Sequence, residues 1–182
     1  MRVFDDIFDK RYLDELTWKL QPASWYSSNI ANRTTWPYGD KGTHRLLGDI
    51  FFHRKNIDII HYNKTNIDLS FQLIDMFNII KKCANRNLLL EQIASNLQFM
   101  GMDGSNHHDG TDEDFSYVLM LSDDFVNDDE GGEFINETVG ETVPYKYGRI
   151  IEFKASDVHR GLAFKTPHKA RYSIKFLGKV IL

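Results

Sequence analysis

At 182 residues the chain has room for one domain with a substantial core, and not for several. An apolar content of 42% and an aromatic content of 13% exclude a disordered chain, and a formal charge of -4 with acids and bases interspersed argues against a dedicated nucleic-acid binder. The single cysteine, Cys83, forbids an internal disulfide and suits a reducing, cytoplasmic home; no stretch approaches a membrane span, and the opening Met1-Arg2-Val3-Phe4-Asp5-Asp6 lacks a secretion signal.

In chain order, the first element is a helix capped by Asp5 or Asp6 and running to about Leu20. Ile7, Phe8, Tyr12, Leu13, Leu16 and Leu20 lie on one face, and Pro22 stops it. From Ala23 to Lys55 the chain is rich in Trp, Tyr, Asn, Gly and Thr. Trp25, Tyr26, Trp36 and Tyr38 stand beside Arg33, Lys41, His44 and Arg45, which suggests long loops between short strands. These aromatics either close the core or line a substrate groove. Ile67 to Ala84 reads as the best helix, with Leu69, Leu73, Met76, Phe77, Ile80 and Cys83 at helical spacing; Cys83 is then a small core residue. Leu88 to Phe99 reads as a strand, or as a helical turn followed by one. Beyond it only strand signals occur, at Phe115–Leu121, Gly132–Asn136, Arg149–Phe153, Val158–Phe164 and Ala170–Leu177. Helices followed by many short strands predict a mainly β fold with flanking helices, an antiparallel jelly roll or double-stranded β-helix. A single domain over 1–182 is expected, with a helical and loop region to about 87 and the jelly-roll core after it.

His107-His108-Asp109 stands in a glycine-rich polar loop just before the apolar run 115–121. An imidazole and a carboxylate from one short stretch can bind one cation, although such a pair taken alone is more often a solvated loop feature. His159 opens a later strand, where taken alone it is an ordinary strand-end histidine. On the last strand, alternation puts Arg171 and Ser173 on one face. A guanidinium fork with a hydroxyl beside it matches a carboxylate, and a buried Arg171 requires an anion.

The order His107-x-Asp109, Gly131-Gly132-Glu133, His159, Arg171-x-Ser173 resembles the iron(II)- and 2-oxoglutarate-dependent oxygenases, and most closely the small prolyl 4-hydroxylase-like members, over roughly 69–177. The resemblance implies that His107, Asp109 and His159 ligate iron(II). His107 is preferred to His108 on spacing, and His108 should point away. It implies that Arg171 pairs with the distal carboxylate of 2-oxoglutarate, that Ser173 hydrogen-bonds it, and that Asn96 and Ser116 also face this cosubstrate, with Tyr117 the competitor of Ser116 for the inward position. Gln98 departs from the family, which often has Tyr there, and Arg171 departs from the Lys common in true prolyl hydroxylases. Gly131-Gly132-Glu133 reads as a tight turn into a strand. The implied activity is oxygen-dependent hydroxylation of an aliphatic C–H, with 2-oxoglutarate converted to succinate and carbon dioxide. It should fall in acid, because ligation needs neutral imidazoles and an ionised carboxylate. Three functions follow from these features: a hydroxylase of a prolyl or similar residue in a peptide or protein, a hydroxylase of a free amino acid or small molecule or a base dealkylase, and a non-catalytic jelly roll that binds metal or sugar.

Overall fold

The structure is a computed structural model and describes residues 1–23, 25–30, 45–122 and 131–181; the side chains of 27–30 and 45 are outside the description. In chain order the elements are β1 (Arg2–Phe4), α1 (Lys10–Leu20), β2 (Tyr26–Ile30), β3 (Arg45–Asn56), β4 (Ile59–Tyr62), α2 (Ile67–Cys83), β5 (Leu88–Gln98), β6 (Asp114–Met120), β7 (Phe134–Asn136), β8 (Glu141–Val143), β9 (Ile150–Lys154), β10 (His159–Gly161) and β11 (Arg171–Val180). An eight-stranded sheet has the order β1-β9-β6-β11-β5-β3-β2, with β4 paired to β3, and a three-stranded sheet has the order β10-β7-β8. All pairings among the described residues are antiparallel, as in a jelly roll.

Alternation along the strands of the large sheet makes two apolar layers. On one face Tyr117, Leu119, Ile150, Ile174 and Phe176 pack with Leu13, Leu16 and Leu20 of α1 and Leu73, Met76, Phe77 and Ile80 of α2. On the other, Val118, Met120, Ile151 and Phe153 meet Phe134 and Val143 of the small sheet. Every residue of β6 is buried, because both of its faces are covered. The expected mainly β jelly roll with flanking helices is therefore what the chain forms.

Several local expectations are corrected. Helix α1 is capped by Asp9, whose side chain accepts from the Arg11 amide, and not by Asp5 or Asp6. Asp5 is held by Arg149 at 2.9 Å, and Asp6 has a left-handed φ of 59°, so neither can begin the helix. In place of loops between short strands, residues 45–56 form one long strand; a bulge between Ile50 and Phe52 breaks its alternation and hides it from a periodicity reading. Trp36, Tyr38, Arg33, Lys41 and His44 lie outside the described residues, while Trp25 packs on Tyr172 with ring centroids 5.6 Å apart and so closes the core. Cys83 is exposed; Ala84, four residues after Ile80, takes the buried position at the end of α2. Among the described residues no helix is long and apolar enough to cross a membrane.

One buried ion cluster ties the N-terminal strand to the sheet. Glu152 of β9 is 2% exposed and accepts from Arg2 at 2.7 and 2.5 Å, from Arg86 at 3.2 Å and from the Tyr117 hydroxyl at 2.8 Å. Burial alone would push its carboxyl up, but the hydrogen bonds from Arg2, Arg86 and Tyr117 bring it below the ordinary range. Glu152→Ala is expected to destabilise the fold by about 2–3 kcal/mol. Most of that comes from orphaning the buried Tyr117 hydroxyl, since the partly exposed guanidiniums recover water. A melting temperature lower by about 5–10 °C in a circular-dichroism scan would match that cost; an unchanged value would show that the cluster contributes nothing.

Candidate metal and anion site

The loop before β6 and the strand β10 are joined through their backbones. The His107 amide donates to the His159 carbonyl at 3.1 Å, and the His159 amide donates back at 2.9 Å, forming an isolated bridge between distant segments. The two imidazoles therefore lie side by side, with centroids 4.4 Å apart. Asp109 is placed independently: its amide donates to the Ala155 carbonyl at 2.8 Å. The three side chains converge, and their ligand atoms all lie within 4.8 Å of one another. His107 Nε2 is 3.8 Å from one Asp109 oxygen and His159 Nε2 is 3.6 Å from the other.

The remaining hydrogen bonds fix the orientation of each donor. His107 Nδ1 lies 2.9 Å from the Ser105 carbonyl and His159 Nδ1 lies 2.9 Å from the Asp157 carbonyl. A carbonyl can only accept, so both Nδ1 atoms carry the proton and both Nε2 lone pairs are left facing Asp109. Backbone carbonyls behind histidines are the usual means of holding imidazole ligands. The His159 ring is 3% exposed and packs on Phe134 and Phe153. Burial lowers the His107 pKa to about 4, aided by the neighbouring His159, and burial lowers that of His159 too. Burial would raise the Asp109 carboxyl, but Lys175 and the two imidazoles hold it well below the usual carboxylate range. At neutral pH the cluster thus offers two neutral imidazoles and one carboxylate. His108 is exposed and lines the cavity without joining the cluster.

The cluster opens into a cavity of about 270 Å³ between the sheets, whose walls also include Asn96, Gln98, Arg171, Ser173 and Lys175. Arg171 is 2% exposed. Its Nε donates to the Gly132 carbonyl at 3.1 Å, its Nη1 donates to Gln98 Oε1 at 2.7 Å and to Ser173 Oγ at 3.3 Å, and its Nη2 is buried with no hydrogen-bond partner among the described residues. Burial lowers its pKa against the opposing pull of Tyr145 and Glu133, and among the described residues no ion pair to a carboxylate within 4 Å is formed. Gly161 makes room for the guanidinium, and Gly132 supplies it with an acceptor. A Cβ at Gly161 would come within 3.1 Å of Arg171 Nη2, and Gly132, at φ 85°, turns its carbonyl toward Nε where a Cβ would strike the Phe164 ring. A charge this buried, with an unused donor facing a cavity, fits an anionic ligand.

The residues singled out from sequence fall as follows. His107, Asp109 and His159 form the cluster, and Arg171, Ser173 and Asn96 line the adjoining cavity, Asn96 standing directly across the strand pair from Ser173. Ser116 faces this side and donates to Asp109 Oδ2 at 2.8 Å, while Tyr117 faces the helices and Glu152. Gly131 and Gly132 both adopt φ 85°, and Gly131 forms an isolated bridge with Phe164; the residues before them, where the expected tight turn would begin, lie outside the described residues. Two residues of the site were not assigned from sequence. Gln98 clamps Arg171 and donates to the Met102 and Gly161 carbonyls, and Lys175 donates to Asp109 Oδ1 at 2.8 Å. The available signal for Lys175 was its place in Arg171-x-Ser173-x-Lys175, which alternation puts on one face.

No protein-family model matches the chain, and no curated protein sequence does. Solved structures do match. An oxidoreductase of the 2OG-Fe(II) oxygenase family from Burkholderia pseudomallei aligns with TM-score 0.70 at 15% identity, over 95% of this chain and 81% of its own. A prolyl hydroxylase from Trichoplax adhaerens, in complex with a hypoxia-inducible-factor peptide fragment, aligns with TM-score 0.66 at 11% identity, over 98% of this chain and 83% of its own. A non-heme α-ketoglutarate-dependent epimerase from nogalamycin biosynthesis aligns with TM-score 0.64 at 13% identity, over 98% of this chain and 77% of its own. Taken with the two-sheet architecture, these alignments give the chain the jelly-roll fold of the iron(II)- and 2-oxoglutarate-dependent oxygenases.

Proposed function

We propose that the protein is an iron(II)- and 2-oxoglutarate-dependent dioxygenase that hydroxylates an aliphatic C–H. The observation that carries this reading is the convergence of two Nε2 lone pairs and one carboxylate beside a cavity that also holds a buried, incompletely satisfied guanidinium. That donor set suits a divalent first-row metal with open positions. His107, Asp109 and His159 would hold iron(II). Arg171, with Ser173, would bind the distal carboxylate of 2-oxoglutarate, and Asn96 would contact the cosubstrate from β5. Bound there, iron(II) would supply oxygen activation coupled to oxidative decarboxylation of 2-oxoglutarate to succinate and carbon dioxide.

The chain's own residues supply position and charge. The carbonyls of Ser105 and Asp157 keep the imidazoles in the ligating tautomer, and Ser116 and Lys175 orient the Asp109 carboxylate. Gln98 and the Gly132 carbonyl hold the Arg171 fork in place before any ligand arrives, so little ordering is left for binding. Phe134 and Phe153 keep water from the His159 side of the cluster.

For the substrate, we favour a prolyl or similar residue in a polypeptide. The support is the peptide-bound prolyl hydroxylase among the structural neighbours. A small-molecule substrate is the second reading, favoured by the epimerase of nogalamycin biosynthesis among the same neighbours. Succinate formation from 2-oxoglutarate with added iron(II), followed by mass spectrometry of proline-rich peptides and free amino acids for an added oxygen, tests both. No substrate-stimulated turnover with either class would favour a binding protein instead. Metal binding should be level from about pH 8 to about pH 5 and collapse near pH 4. His107, with its pKa lowered to about 4, takes up its proton only there and then withdraws its lone pair. Calorimetric Mn(II) titration at several pH values checks this; loss centred near the ordinary histidine value of about 6.5 would contradict it.

A further inference from the structure

We propose that Lys175 is the resident counter-cation of the metal site and makes metal retention depend on the dicarboxylate cosubstrate. This inference rests on the oxygenase reading and adds a binding order to it. Lys175 Nζ lies 2.8 Å from Asp109 Oδ1, its side chain is 19% exposed, and it lines the same cavity as Arg171. Among the described residues it is the one ammonium or guanidinium within ion-pair reach of Asp109. Arg171, Ser173 and Lys175 share one face of β11, with Lys175 at the cluster and Arg171 clamped beneath Gly161.

Charge counting gives the consequence. With no metal, Asp109 and Lys175 neutralise each other and the imidazoles are uncharged. A divalent ion placed among these ligands meets a cation already on its carboxylate, and it adds two positive charges to a cavity that also holds Arg171. In a site this buried that excess is costly. A dianion offsets those two added charges: one carboxylate meets Arg171, and the other, on the metal side, offers Lys175 a new partner. Lys175 then leaves Asp109 to the metal. The ion alone is held weakly, and ion and dicarboxylate strengthen each other reciprocally.

The test is a Mn(II) titration, read from the electron paramagnetic resonance signal of the free ion, with and without saturating 2-oxoglutarate. It is run on the wild type, Lys175→Met and Lys175→Arg, with circular-dichroism melts to confirm folding. The wild type should bind Mn(II) at least about tenfold more tightly when 2-oxoglutarate is present. Lys175→Met should bind Mn(II) alone about tenfold more tightly than the wild type does, and its response to 2-oxoglutarate should shrink to about threefold or less. Lys175→Arg keeps the cation and should restore the wild-type pattern, which a purely structural role would not require. Equal tightening by 2-oxoglutarate in wild type and Lys175→Met would overturn this inference and leave the oxygenase reading standing. Absence of Mn(II) binding in the wild type would overturn both.

Discussion

His159→Ala is expected to weaken divalent-metal binding by more than about 100-fold and to abolish 2-oxoglutarate-dependent succinate formation. Losing an outer partner of a ligand already costs about 10- to 100-fold in metal affinity, so losing the ligand itself costs more. The site cannot recruit a substitute readily. His108 is exposed and outside the cluster, and Asp157 is tied to Asn136 at 2.9 Å. The backbone bridge to His107 uses no side-chain atom, so the fold should keep that connection in the variant. The hole between Phe134 and Phe153 lowers stability, and a melting curve separates that effect from the binding loss. Mn(II) affinity within about threefold of wild type would remove His159 from the metal site, and the functional reading with it.

Arg171→Met should produce a different pattern: 2-oxoglutarate binding weaker by about 30- to 1000-fold, with the metal affinity measured without cosubstrate nearly unchanged. Two charge-assisted hydrogen bonds to a carboxylate contribute about 2–4 kcal/mol, which converts to that range. Methionine approximates the stem's volume, and its loss of charge is favourable for the empty buried site. It leaves Gln98 Oε1 and the Gly132 carbonyl without their donor, so part of any change in stability belongs to them. Calorimetry of 2-oxoglutarate binding to the Mn(II)-loaded protein reads the effect directly. A Kd within about threefold of wild type would show that the guanidinium serves Gln98, Ser173 and Gly132 and no ligand.

Of the late strands, β6, β9 and β11 were legible because they are continuous and largely buried, whereas the strand expected over 158–164 is confined to 159–161. Every residue of β6 is buried, and β11 alternates Arg171, Ser173 and Lys175 with Tyr172, Ile174 and Phe176. Helix α2 was legible from the spacing of Leu69, Leu73, Met76 and Ile80, yet the same spacing misplaced Cys83, because one residue of helical rotation at the last turn moves a side chain from core to solvent. Strands β1 and β8, of three residues each, are too short to show a period and depend on the sheet they join. Strand β3 was obscured by its bulge. The three clustered donors and Arg171 were readable as chemistry through their resemblance to a known order. Gln98 and Lys175 were not. Their contacts depend on cross-strand register and on a lysine turned inward, while a strand lysine is by default a solvent residue.

The reciprocal amide bonds between His107 and His159 imply that the protein's architecture does not wait for its ion. The two backbones are cross-linked by peptide groups alone, so stripping with a chelator should leave these amides slow to exchange with deuterium and the melting curve cooperative. Loading would then be a reversible, late event on a finished scaffold, and one preparation could be refilled with different divalent ions in turn. Small zinc-dependent domains, which unravel when their metal is removed, behave in the opposite way.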